Sequence, residues 1–204
     1  MTYALEWLVQ GRIACAVVYN ATPAAAIDLQ PVLEEQLFLV SARTAKGRAA
    51  KAAAPPPSAT LAEVAVHGLV IPSRPHAIRM RLETVLALAG LKPSVALEIE
   101  SVPAILELVR RHPLHAVLSR NALRASGREG DFVARPVFGP PRATPLATTL
   151  WIATSAQRPQ GPLLVQASAL LAELLRHSLG TDGIAAAEAP ASGGTARRRV
   201  QALS

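Results

Sequence analysis

Ser73-Arg74-Pro75-His76 brings a hydroxyl, a guanidinium and an imidazole into one short stretch of chain. Leu69-Val70-Ile71-Pro72 precedes it and reads as a short buried strand bounded by proline. Ile78, Leu82, Val85, Leu86 and Ala89 follow at helical spacing, until Gly90 and Pro93 close the helix. Ser73 is the expected N-cap, and Pro75 falls in the first turn, where its missing N–H costs nothing. A strand that becomes a helix through these residues aims free N–H groups, a hydroxyl and cationic groups at one spot. That spot suits a small anion. The plainer alternative is a Ser73 that only caps, with Arg74 and His76 in solvent.

Other candidate chemistry is thinner. His112 and His115 have the spacing of one helical turn, but Pro113 lies between them and no carboxylate or cysteine stands nearby in sequence, which argues against a metal site. Glu34 and Glu35 are adjacent, so their side chains diverge, and both are expected in solvent. Nucleophile elbow, phosphate loop and dinucleotide fingerprint are all absent, so neither a catalytic set nor a cofactor is expected.

The elements that must position these residues follow from patterning. The chain has 204 residues, half of them hydrophobic but only 3% aromatic, so the core must be built from Leu, Val, Ile and Ala. Charged residues are 17%, few enough to suggest that an apolar face meets another chain. The net charge of +7 is spread over arginines in every kind of segment, so no DNA-reading element is visible in it. Cys15 is the single cysteine, which excludes an internal disulfide; it sits in an apolar run as a buried small hydrophobe. No signal sequence opens the chain and no run is long enough to span a membrane, so the cytoplasm is the default expectation.

In order, a helix is expected over residues 3–10, a strand over 13–19, a loop over 20–28 and a strand over 36–40. An exposed Ala- and Pro-rich loop spans 43–60, and a single helical turn 60–66 leads into the strand–helix already described. Strands are expected at 95–100, 114–118, 132–138 and 148–154, with a helix capped by Ser101 in between. Residues 162–179 form the clearest helix, with Pro162 at its start and Gly180 at its stop. Residues 181–204 read as a disordered basic tail. Strands alternating with helices argue for an α/β fold with mostly parallel sheets.

Several of these segments also carry a resemblance. They are Trp7-Leu8-Val9-Gln10-Gly11-Arg12-Ile13-Ala14-Cys15-Ala16-Val17, then Pro31-Val32-Leu33-Glu34-Glu35-Gln36-Leu37-Phe38-Leu39-Val40, then Leu61-Ala62-Glu63-Val64 before the Ser73 stretch, and residues 98–118 ending in Ala116-Val117-Leu118. Their order resembles the effector-binding domain of LysR-type transcriptional regulators, from about residue 5 to 179. The pattern departs where Ala14 replaces an aspartate, where His112 and Leu114 replace glycines, and where Ser119 replaces a proline.

The resemblance implies a two-lobed, type-2 periplasmic-binding-protein-like α/β fold with lobe one incomplete. Lobe one would be residues 1–65 plus 148–180, lobe two 66–147, and the tail 181–204. Lobe one would lack its first strands, leaving a strand edge and an apolar face uncovered. It also implies a small, anionic effector between the lobes, held by Ser73, Arg74 and His76, with Tyr19 and Asn20 facing them and Ser101 at a second strand-to-helix junction. Expected partners are that effector and further copies of the chain, as a dimer or tetramer. DNA would be reached only through a winged helix-turn-helix that these residues do not contain, and no membrane is involved. Two alternatives stay open: a solute-binding protein of the same architecture, and a dimerising remnant without ligand.

Overall fold

The computed structural model describes residues 2–43, 57–139, 144–180 and 183–184. Helix α1 (Thr2–Val9) ends at Gly11, whose φ of +70° suits glycine, and leads into strand β1 (Cys15–Tyr19). β2 (Ile27–Ala42) then runs for 16 residues, far beyond the strand expected at 36–40. Its first half alternates, with Asp28 and Gln30 exposed while Ile27 and Leu29 pack inward, and Pro31 is accommodated where the register shifts between Pro31 and Leu33.

The middle of the chain is built from β3 (Ala59–Thr60), α2 (Leu61–Val66), β4 (Leu69–Ile71), α3 (Ala77–Leu88), β5 (Val95–Glu98), α4 (Val102–Arg111), β6 (Ala116–Ser119), α5 (Arg120–Ala125) and β7 (Phe132–Gly139). After β8 (Thr144–Pro145), the chain returns through β9 (Ala147–Ser155) to α6 (Pro162–Leu179), whose bounds match the expected helix. β10 (Gly183–Ile184) pairs with β2 at Glu34 and Glu35; the rest of the expected tail, like residues 44–56 of the expected loop, lies outside the described residues.

β2 is the spine. Its first half pairs with β9, which also pairs with β1, and its second half pairs with β6 and β7. All of these pairings are antiparallel; among the described strands β3 with β7 and β4 with β5 run parallel, and an isolated parallel bridge joins Leu69 to His115. The mostly parallel sheet expected from alternating elements is therefore corrected. Alternation constrains the spacing of strands, but here β6, β7 and β9 each return along β2 against its direction.

The core divides along β2. Val32 and Leu33 pack with Leu150, Ile152 and Ala172, whereas Leu37 and Leu39 pack with Leu69, Ile71, Leu82, Leu86 and Val117. The two sets of buried residues part inside β2, around Glu34–Gln36. Among the described residues, β1 has a partner strand on one edge only, and Val17 on it is 41% exposed. Cys15 is half-buried opposite Thr154 and packs against the cluster that includes Ile152. No described helix is long and apolar enough to cross a membrane.

Candidate functional site

Where the halves meet, the end of β1, the middle of β2, the loops that follow β4 and β5, and the start of α5 line a cavity of about 670 Å³. That volume is typical of small-molecule sites, on the order of 300–1,000 Å³. α3, α4 and α5 all start at its rim.

Ser73, Arg74, His76 and Tyr19 line this cavity. Their roles differ from those expected. Ser73 does not cap α3: the His76 N–H donates to the Ser73 carbonyl (3.1 Å), closing a turn first, and the helix begins at Ala77. His76 is the cap, its Nδ1 accepting from the Ile78 N–H at 3.3 Å. Burial holds the His76 imidazole below its ordinary pKa, opposed by the nearby Glu100 charge, so it is neutral near pH 7.

The Ser73 donors expected to serve an anion are already taken. The Ser73 N–H donates to Glu100 Oε1 at 3.1 Å, and the Ser73 hydroxyl donates to the same oxygen. This holds the Glu100 carboxyl below its usual range, the Ser73 hydroxyl being the largest cause. Arg74, 67% exposed, donates from Nε to Glu83 at 2.9 Å. Glu83 also receives Arg79, a nearly buried guanidinium that reaches Glu98 (3.2 Å) and the Pro72 carbonyl (3.4 Å). Arg79 thereby clamps the first turns of α3 to the ends of β4 and β5.

Glu35 was expected in solvent and is instead 4% exposed on the cavity wall. Tyr19 donates to it from its hydroxyl (2.7 Å), and Asn121 donates from Nδ2. Tyr19 is pushed up from its ordinary pKa, first by burial and then by Glu35, so it remains a donor at any physiological pH. The signal for Glu35 was in its spacing: it shares one face of β2 with Leu33 and Leu37, both buried. Asn121, in the first turn of α5 behind the Ser119 cap, offered no comparable signal.

Asn20 and Ser101 do not line this cavity. Asn20, at φ 47°, accepts from the Thr149 N–H (3.0 Å) and donates to the Ala77 carbonyl (3.4 Å), tying β1 to both β9 and α3. Ser101 occupies the N-cap position of α4 without a side-chain capping bond. Among the described residues no group of three metal-ligating side chains forms; His115 instead stacks on His67, with ring centres 3.9 Å apart.

The net chemistry of the cavity is acidic on a largely apolar wall. Helix N-termini favour negative charge by about 0.3–1 kcal/mol each. His76 and the Ser119 hydroxyl already cap two of the three, α3 and α5.

Comparison with known proteins agrees with this architecture. Residues 1–178 match the LysR substrate binding domain. The nitrogen assimilation regulatory protein nac of Klebsiella aerogenes is 30% identical over 129 residues, 63% of this chain and 39% of that protein. The chain thus spans about two-fifths of the length of the curated relatives it matches. Among solved structures, the regulatory domain of MetR, a LysR family regulator from N. meningitidis, superposes with a TM-score of 0.67 at 17% identity, covering 90% of this chain and 82% of that one. Full-length CbnR complexed with its target DNA gives 0.66 at 18% identity, covering 87% of this chain and 57% of that one. These likenesses show the fold, and the match over residues 1–178 shows the lineage: the chain belongs to the LysR substrate-binding-domain family.

Proposed function

We propose that this chain is the effector-sensing part of a LysR-type transcriptional regulator, and that a small molecule binds in the cavity between its halves. The observation that carries this reading is the composition of the cavity wall. Tyr19 and Glu35 come from one half, Ser73, His76 and Glu100 from the other, so an occupant touches both. Asn20 joins the halves a few residues away. A ligand that prefers one relative placement of the halves would shift that placement and change what the rest of the protein presents to DNA. A coupling of about 1–3 kcal/mol is enough for such control.

Within this reading Ser73, His76 and Tyr19 contact the ligand, Arg74 borders it, and Asn20 and Ser101 act at its margins. DNA contact, assembly into oligomers and a cytoplasmic location are parts of the same proposal. The family and the relatives are transcriptional regulators, which supports a role in binding.

The test is a thermal-shift screen of the chain against metabolites spanning acids, amines and neutral compounds. A true ligand at 100 times its dissociation constant adds about 2.7 kcal/mol. Ala122→Phe, which places a ring in the cavity, should abolish that gain; a gain that survives it contradicts the cavity as the site.

A further inference from the structure

Among the described residues Glu35 has no counter-ion. It is 4% exposed, and both its hydrogen-bond donors, the Tyr19 hydroxyl and the Asn121 amide, are neutral. No arginine, lysine or histidine among the described residues forms an ion pair with it. Buried carboxylates are ordinarily matched by a positive charge, because taking an isolated one out of water is expensive. Here the open side of the carboxylate is the cavity.

The rest of the wall has the same bias. Glu100 spends Oε1 on Ser73, and its second oxygen remains. Asn121 commits its Nδ2 group to Glu35 and to the Leu179 carbonyl (3.1 Å), so its side chain has only a carbonyl oxygen left to offer. Arg74, the guanidinium on this wall, has its charge matched by Glu83, to which its Nε donates. Pro72, Ile78, Leu118 and Leu179 supply the apolar remainder.

We propose that the cavity takes a small molecule carrying a protonated amine, the ammonium set against Glu35 and Glu100 and an apolar body along Pro72, Ile78 and Leu118. This rests on the cavity being the effector site, and it replaces the anion expected from Ser73 and Arg74 by a cation.

The test is a thermal-shift titration of the chain at pH 7 with benzylamine, benzyl alcohol and benzoate, which share a ring and differ in charge. Benzylamine should raise the midpoint by several degrees and the other two should not. Glu35→Gln should weaken the benzylamine response about tenfold, and Glu100→Gln, at an exposed side chain that does not threaten folding, about threefold. Should Glu35→Gln fail to fold, Glu100→Gln decides. Benzoate raising the midpoint, with the rise lost in Ala122→Phe, overturns the amine and leaves the cavity standing. A benzylamine response that survives Ala122→Phe overturns both, and one that survives the glutamate variants overturns the amine assignment. No response to any of the three compounds also overturns it.

Discussion

The two halves that meet at the cavity are unequally built. Among the described residues, the half containing β4, β6 and α3 holds two buried clusters, of 12 and 10 apolar residues. The half containing β1, β9 and α6 holds clusters of five and three. It also exposes Leu163 (80%), Leu170 (58%) and Leu174 (54%) along α6. The cavity therefore has one wall anchored in a dense core and one hung on a thin, one-edged sheet. A binding site with one firm and one yielding wall is suited to sensing, since occupancy can move the softer wall without loss of the fold.

That contrast is open to attack, first through the dense core. Leu82→Ala removes a side chain that is 0% exposed and should cost about 3–4 kcal/mol in urea unfolding, whereas Leu170→Ala on exposed α6 should cost under about 0.5. Comparable costs would erase the distinction. Arg79→Ala comes next: it strips Glu83 and Glu98 of a nearly buried partner and should cost about 3 kcal/mol. The loop between β4 and α3 should loosen with it, read as faster amide exchange at Ser73 and Ile78.

Asn20→Ala should cost about 2 kcal/mol, from two lost hydrogen bonds and a positive φ that alanine tolerates poorly. In amide exchange, β1 should open before β6 in the parent chain, and Asn20→Ala should widen the gap. Equal protection of β1 and β6 would count against the unequal walls.

The smallest effect is a pH dependence. Burial lowers the pKa of His76 and His115 in the folded chain, both in the denser half. A depressed pKa means the unfolded chain binds the proton more readily, so this stability is present above the ordinary value near 6.5 and is lost as pH falls below it. Unfolding midpoints at pH 7.5 and pH 5.5 should differ in that direction, and the difference should shrink in a His76→Gln, His115→Gln variant.

Much of this was legible in the residues, for reasons specific to each element. α6 could be delimited because Pro162 and Gly180 bracket an unbroken apolar stripe. The approach of Ser73 and His76 to Tyr19 followed from a resemblance in segment order and not from spacing. What escaped was set by tertiary structure. The start of α3 moved to Ala77 because a turn closed on Ser73 first, and Pro31 hid the length of β2. Adjacency to Glu34 suggests a solvated Glu35, whereas its period-two relation to the buried Leu33 and Leu37 turns it inward. The commitment of Ser73 to Glu100, 27 positions away, and of Arg74 to Glu83 depends on folded geometry that no local pattern encodes.

The most direct measurement is a crystal structure of the chain soaked with benzylamine. The account places its ammonium roughly 3 Å from a Glu35 oxygen, with the ring between Pro72 and Leu118. Density for the compound outside the cavity, or inside it with the amine turned away from both Glu35 and Glu100, would contradict it.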